Sequence, residues 1–350
     1  MSNPAATNTI SVLLTGGGAP GAAGIIKCLK QNPAIKITTC DVREQVSGKQ
    51  LAHDFFVCPA AHSPDFVTFI LDKCINYGIH IIIPIVTAEL IHFSKNKALF
   101  NAKGITVLVQ EEEVLKTAND KGNLYTKLKE SGIEVPLFFL VNDIQEYKNA
   151  SIELMKHQNN YIFKPRIANG SRGFRIVSKD FDRSKMLFHE KPNHTCLRLD
   201  DALSILGETA FPPLLLSEFL PGPEYSVDVL ARYGEMLLAI PRRRDKMNNG
   251  ISTEGLIENN TEIIAYCKDI TRKLNLNGNF GIQVKLSKEN KFLILEINPR
   301  LQGTVSACLG ANVNMPLLGL ILETTNTFVM PNIKWNIRFN RFWEEVYESC

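Results

Sequence analysis

The 350-residue sequence has no C-x-x-C pair, no dense block of lysine and arginine, and no apolar run as long as a membrane span. Each absence removes a class of protein. The eight cysteines, among them Cys28, Cys40, Cys58, Cys74 and Cys196, follow no regular spacing, so reduced thiols are expected rather than a disulfide framework or a zinc site. A formal charge of +3, with Arg242, Arg243 and Arg244 as a local cluster only, is too small to argue for nucleic acid. Met1 to Thr9 lacks the basic and apolar regions of a secretion signal, and Cys350 heads no prenylation box. The expected location is the cytoplasm, with neither membrane nor nucleic acid as partner. What is present is ordinary globular material, 45% hydrophobic and 21% charged, in a chain too long for one core and suited to two or three domains.

The most informative stretch runs from Lys291 to Leu301, an apolar strand that passes into Glu296, Asn298 and Arg300. Strand side chains alternate between faces, so Glu296 and Asn298 share one face while Leu295 and Ile297 share the other. A carboxylate beside a carboxamide oxygen suits a hard cation such as Mg²⁺, and Arg300, next on that face, can grip phosphate oxygens. A solvated edge strand would show the same pattern. Tyr161 to Lys164 predicts a strand leading into Asn169-Gly170-Ser171-Arg172-Gly173 and a second strand, Phe174 to Val177. A glycine-rich hairpin lets backbone N–H groups approach phosphate oxygens and act as a lid. Lys164 would be a point charge on the α and β phosphates, with Ser171, Arg172 and Gly173 covering the β and γ ones; an ordinary hairpin is the alternative. Arg242 and Arg244, at alternate positions, face one way on an extended segment and suit a substrate carboxylate or an acyl phosphate, with solvated basic surface as the alternative.

The chain opens with a predicted strand, Ile10 to Leu14, a glycine-rich turn from Thr15 to Gly24, a helix from Ile25 to Lys30 and a strand from Lys36 to Cys40 ending at Asp41. That is a Rossmann-like βαβ unit. Gly18, Gly21 and Gly24 match a dinucleotide fingerprint and Asp41 suits a ribose, which keeps open an NAD(P)-binding oxidoreductase or sensor. Ile79 to Ile85 predicts a parallel strand buried on both faces, with Thr87 as cap of a helix from Ala88 to Leu99. A strand from Thr106 to Val109 closes the first domain, Glu111 to Glu113 form a first helical turn, and Thr117 to Lys121 open a helix reaching Ser131. Further on, strands are expected at Leu214 to Glu218, Tyr225 to Leu230 and Phe280 to Leu286, and helices at Thr261 to Leu274 and Met315 to Leu322. His189 and His194 lack a ligand-spaced partner.

Taken in order, the segments from Phe163 to Gly173, from Ser217 to Asp228, Gly281-Ile282-Gln283 and Glu296-Ile297-Asn298-Pro299-Arg300 resemble the ATP-grasp superfamily. The branch is the one similar to the carbamoyl-phosphate synthetase large subunit, and the resemblance runs to about residue 325. It implies an α/β chain: a Rossmann-like N-terminal domain at 1–112, then a two-subdomain ATP-grasp fold of α+β type with nucleotide between the subdomains. The small subdomain with its glycine-rich lid spans 113–217, the C-terminal subdomain with the metal site 218–330, and a tail 331–350. The resemblance further implies that Lys121 meets the nucleotide phosphates, that Glu218, Phe219 and Leu220 read adenine, and that Glu224 binds the ribose hydroxyls. It makes Gln283, Glu296 and Asn298 the site of one or two Mg²⁺ ions, with Mn²⁺ as a substitute; Gln283 stands where other branches place an acid, which weakens one site. In the family's first domain the glycine turn helps shape the substrate side and binds no dinucleotide, and Thr87 and Glu89 face the cleft. The implied activity is that of an ATP-dependent, ADP-forming carboxylate-amine ligase acting through an acyl phosphate. An amino acid is one expected substrate, Lys164, Arg242, Arg244 and Arg300 are the catalytic candidates, and a homodimer is the expected assembly. Activation of bicarbonate, as in carbamoyl phosphate synthesis or carboxylation, is the alternative. A single ATP-grasp unit and the lack of an Ala-Met-Lys-Met-like biotinyl segment speak against it.

Overall fold

The structure, a computed structural model, describes residues 9–156, 158–168, 170, 172–189, 195–248 and 250–348. They fall into two compact units, one made of the chain up to Leu115 with Tyr225–Gln283 and Ile297 onward, the other of Lys116–Glu224 with Val284–Glu296. These limits differ from the expected boundaries at 112, 217 and 330. The first unit gathers the N-terminal domain and most of the expected C-terminal subdomain, because one apolar core joins Val12, Leu14 and Ile83 to Leu230, Ile240, Ile257 and Leu301.

The first unit begins with alternating strands and helices: β1 (Ile10–Thr15), α1 (Ala22–Leu29), β2 (Ile35–Asp41), α2 (Ser47–Leu51), β3 (Asp54–Val57), α3 (Phe66–Asn76), β4 (Ile81–Ile83), α4 (Thr87–Lys95), α5 (Lys97–Asn101) and β5 (Thr106–Val107). The strands form a parallel sheet in the order β3-β2-β1-β4-β5. Alternate residues feed two cores: Val12, Leu14, Ile35 and Ile37 pack with α1, whereas Leu13, Cys40 and Ile82 pack with Phe66, Ile70 and Phe93. A sheet covered on both faces accounts for strands that read as continuous apolar runs. The strand order reverses between β1 and β4, the point at which such sheets hold ligands beyond their carboxyl ends. Thr87 is the first residue of α4 rather than its cap, and the single helix expected to Leu99 breaks at Asn96.

The helix expected from Thr117 is also two: α6 (Glu112–Asn119) and α7 (Lys121–Glu130), separated by Asp120 in extended conformation. The second unit continues with β6 (Phe138–Val141), α8 (Ile144–Met155), β7 (Asn160–Pro165), β8 (Arg175–Ser178), α9 (Arg183–Phe188), β9 (Cys196–Arg198), α10 (Leu199–Glu208) and β10 (Leu214–Glu218). Its sheet runs β6-β10-β7-β8-β9. Tyr161 and Phe163 of β7 enter the core with Tyr147, Ala150 and Leu154 of α8, and the period-two alternation turns Lys164 to the opposite face.

The remaining elements are β11 (Glu224–Arg232), β12 (Glu235–Asn248), β13 (Ile251–Ile257), α11 (Thr261–Leu274), β14 (Gly278–Leu286), β15 (Phe292–Asn298), a 3-10 turn (Val305–Ala311), α12 (Met315–Thr325) and β16 (Ile337–Asn340), with sheet order β15-β14-β11-β12-β13-β16. Residues 331–340, expected as tail, supply the strand β16, antiparallel to β13, and lay Trp335, Ile337 and Phe339 against the core of the first unit. No single helix among the described residues is long and apolar enough to cross a membrane; the 3-10 turn and α12 pass that test only as a pair bent by 95°.

Candidate active site

In the second unit the two lysines expected at the phosphates lie with Glu296, the carboxylate expected at the metal. Lys121, the first residue of α7, places its ammonium 3.8 Å from Glu296 Oε2 and donates to the Ala168 carbonyl at 2.8 Å. Lys164 donates to the Leu295 carbonyl at 2.9 Å, with its ammonium 5.6 Å from the centre of the Tyr125 ring. Tyr125 is itself fixed by donating to the Ile294 carbonyl at 2.8 Å. Burial draws the Lys164 ammonium down to about 8 from an ordinary 10.5; Glu296 and Glu224 work against that, and Lys121 adds to it. Two buried cations beside one half-buried carboxylate make a place where added negative charge relieves repulsion.

The expected adenine segment follows β10. Glu218 accepts from the Leu137 N–H at 2.8 Å and lines a cleft of about 240 Å³ with Glu134, Leu137, Ser287, Lys291 and Leu293, a cleft that contains neither Lys121 nor Lys164. Its carboxylate therefore already has a backbone donor. Phe219 lies under the Lys285 ammonium at 5.3 Å, and Leu220 is buried. Gly222 donates to the Leu286 carbonyl at 3.0 Å while the Leu286 N–H donates to Pro223 at 3.1 Å, and a Cβ on Gly222 would stand 2.6 Å from Leu286 Cβ. The segment is thus pinned by backbone bonds that only glycine permits. Glu224 opens β11. Arg172 and Gly173 belong to the turn between β7 and β8; Ser171, assigned to the same turn, lies outside the described residues, as do His194 and Cys350.

Residues of the first unit form a separate constellation. Arg300 donates from Nε to Thr87 Oγ1 at 3.2 Å and from Nη1 to the Leu301 carbonyl at 2.8 Å. Glu89, in the first turn of α4, is only 6% exposed and accepts from the Thr15 hydroxyl at the end of β1. Burial pushes its carboxyl up to about 7, the Thr15 hydrogen bond opposes this, and Asp41 reinforces it. Thr15, Thr87, Glu89 and Arg300 thus gather at the carboxyl ends of β1 and β4, where the strand order reverses.

Alternation on β12 gives Arg242 and Arg244 a common face, but their surroundings differ. Arg242 is 0% exposed, donating from Nε to Asp228 at 2.6 Å and from Nη1 to Thr304 at 2.7 Å. It is therefore neither solvated surface nor an open clamp. Asp228 also accepts from Gln302 at 3.1 Å and from Cys308. Arg244 donates to Ser252 at 3.0 Å and to Gln283 Oε1 at 3.3 Å, so the carboxamide assigned to a metal is held by a guanidinium.

Dinucleotide binding at the Gly18 to Gly24 turn is at odds with this structure. The N–H groups of Gly17, Gly18 and Ala19 are taken by the Cys40 carbonyl at 2.8 Å, by Asp41 at 2.8 Å and by the Gly16 carbonyl at 2.8 Å. Asp41, the expected ribose ligand, also accepts from the Arg43 N–H at 3.0 Å. A Cβ on Gly21 would stand 2.8 Å from Gly303 Cα and one on Gly24 2.4 Å from Ser306 Oγ. The glycines let α1 pack against residues 303–306, which cover its N-terminal turn where a pyrophosphate would sit.

Sequence reasoning gave no role to Asp120, Tyr125, Arg166, Asp228 or Thr304. The one available signal was the acid at Asp120 ahead of a helical stretch, a capping pattern; the others acquire partners only through contacts distant in sequence.

Two family models match the chain: "PylC-like, N-terminal domain" over residues 12–108 and "ATP-grasp in the biosynthetic pathway with Ter operon" over residues 210–341. No curated protein matches the sequence. Among solved structures, N5-carboxyaminoimidazole synthetase from Staphylococcus aureus complexed with ADP is 15% identical with a TM-score of 0.68, over 93% of this chain and 80% of that one. The biotin carboxylase domain dimer of Hydrogenobacter thermophilus 2-oxoglutarate carboxylase, in complex with MgADP, ADP and bicarbonate, is 15% identical with a TM-score of 0.67, over 93% and 73%. L-amino acid ligase from Bacillus licheniformis is 13% identical with a TM-score of 0.63, over 90% and 74%. At these identities the likeness is one of fold.

Proposed function

The chain belongs to the ATP-grasp superfamily, and from that premise we propose that it is an ATP-dependent, ADP-forming carboxylate-amine ligase that works through an acyl phosphate, with an amino acid as one substrate. The observation that carries the proposal is the cluster of Lys121, Lys164 and Glu296 in the second unit. A carboxylate is a poor electrophile because its leaving group would be oxide. Its oxygen attacks the γ-phosphorus, ADP leaves, and the amine nitrogen then attacks the acyl carbon, expelling phosphate and losing a proton. Little covalent chemistry falls to the protein, so its contribution is position and charge.

Lys121 and Lys164 supply that charge from a site where burial strengthens each interaction, and bound phosphate would return Lys164 to a fully protonated state. Arg172 and Gly173 cover the phosphates together with Ser171, Glu218, Phe219 and Leu220 hold adenine, and Glu224 holds the ribose. The resemblance gives Glu296, Asn298 and Gln283 to one or two Mg²⁺ ions, or Mn²⁺; each side chain offers oxygen, as a hard cation requires, but the Gln283 oxygen already accepts from Arg244, and an ion held there would neutralise phosphate oxygens. Arg244, Arg300, Thr87 and Glu89 form the acceptor side. Arg242 takes part from a buried position, by holding Asp228 and Thr304.

The test is a phosphate-release screen over pairs of amino acids and small carboxylic acids, run with wild type and Glu296→Ala. Release should require both a carboxylate and an amine and should vanish in the variant, which should melt like wild type. Undiminished turnover of Glu296→Ala would remove that residue from the site. A bicarbonate arm is included because two of the three solved structures described above are a carboxyaminoimidazole synthetase and a biotin carboxylase. ADP release that depends on bicarbonate and needs no amino acid would favour that chemistry instead.

A further inference from the structure

Lys121 and Lys164 stand on different elements, α7 and β7, and what joins those elements is an ion pair immediately beside both. Arg166, the residue after the end of β7, donates from Nε to Asp120 Oδ1 at 3.1 Å and from Nη2 to Asp120 Oδ2 at 2.8 Å, a two-pronged bond of the kind only a guanidinium makes. Nη2 also donates to Asn123 at 3.0 Å. Asp120 is at the same time the N-cap of α7, accepting from the N–H groups of Gly122 at 2.8 Å and Asn123 at 3.1 Å. The Lys121 N–H donates to the Arg166 carbonyl at 3.0 Å, and the Arg166 N–H to the Pro213 carbonyl at 3.0 Å.

The seat for the guanidinium is built in sequence as well. A Cβ on Gly122 would stand 2.6 Å from Arg166 Nε and 3.0 Å from its Cζ. Glycine is a poor choice for the first turn of a helix, and here it is the residue that leaves room for the pair. We propose that Asp120 and Arg166 form a latch whose purpose is to position Lys121 against β7, so that the two lysines present one anion site of fixed spacing. The latch rests on the nucleotide-binding role given to those lysines above. Asp120 and Arg166 are positioning residues, since each acts through Lys121.

The experiment is calorimetric titration of the full chain with ADP in the presence of Mg²⁺, for wild type, Asp120→Asn, Arg166→Gln, Gly122→Ala, Lys121→Met and the Arg166→Gln/Lys121→Met double variant, with nucleotide-free melting curves beside it. Asparagine caps a helix as well as aspartate does, so Asp120→Asn removes the ion pair and keeps the cap. Gly122→Ala favours helix and displaces the guanidinium. Each single substitution is expected to weaken ADP binding about tenfold, and Arg166→Gln should cost nothing further once Lys121 is methionine. Losses that multiply in the double variant, or an ADP affinity in Arg166→Gln equal to wild type, would overturn the latch and leave the pair a structural one. Wild-type protein that does not bind ADP at all would overturn the nucleotide site and the latch together.

Discussion

Glu89 is a carboxylate in a buried environment at odds with its charge. A carboxylate in the first turn of a helix is ordinarily favoured by the helix dipole, yet burial outweighs that here and lifts its carboxyl from 4.5 to about 7. The folded state holds this proton more tightly than the unfolded chain, so the contribution to stability is full below about pH 4.5 and is lost as pH rises through about 7. At about 1.4 kcal/mol for each pH unit between the two values, the ceiling is ~3 kcal/mol. Glu89→Gln keeps an oxygen for the Thr15 hydroxyl and cannot ionise, so it should match wild type at pH 5 and exceed it by about 1–3 kcal/mol at pH 8. Urea unfolding at the two pH values measures this, and a difference between the proteins that does not change with pH would refute it. The same residue suits the acceptor side proposed above, where a carboxylate that changes charge near neutrality would take a substrate ammonium or its proton.

At the scale of the element, α1 decides between two uses of one motif. Its glycines read as a phosphate-binding turn, but Gly21 and Gly24 are the points at which residues 303–306 press against the helix. Gly24→Ala should therefore destabilise the fold by about 1–3 kcal/mol, the range for overpacking a filled contact. Its ADP affinity should be unchanged, because the contact lies within the first unit and the lysine cluster within the second. Thermal melting with ADP titration reads both quantities, and a variant as stable as wild type would mean that the contact is loose. Element boundaries show a related effect. Thr117 to Ser131 has the composition of one helix, and what breaks it is the side chain of Asp120, which caps α7 and is claimed by Arg166.

For the molecule as a whole, the discriminating measurement is ligand-linked stability. MgATP at a hundred times its dissociation constant should stabilise the chain by about 2.7 kcal/mol, whereas NAD and NADP should leave it unmoved. A shift produced by NAD and not by MgATP would reverse the assignment of the two glycine-rich segments. The division into units bears on the same question. The expected subdomain boundary near 217 falls at the end of β10, but the core that begins with β1 also claims Leu230, Leu238, Ile240 and Ile257, and with them β16 and its Trp335, Ile337 and Phe339.

By itself the sequence determined the parallel first sheet, the strand ends that carry Lys164 and Glu296, the helix Thr261–Leu274 to the residue, and the order of segments that resembles the ATP-grasp superfamily. These are local matters: periodicity, turn chemistry and spacing act over a few residues and leave a trace in composition. Only the tertiary structure decided that Arg242 is sealed against Asp228 and Thr304, that Glu89 is buried beneath Thr15, that Arg166 belongs to Asp120, and that the dinucleotide-like glycines serve packing. Each of those facts joins residues between 14 and about 280 positions apart. A side chain's charge state and freedom depend on such partners and on exclusion from water, neither of which a strand or helix pattern encodes.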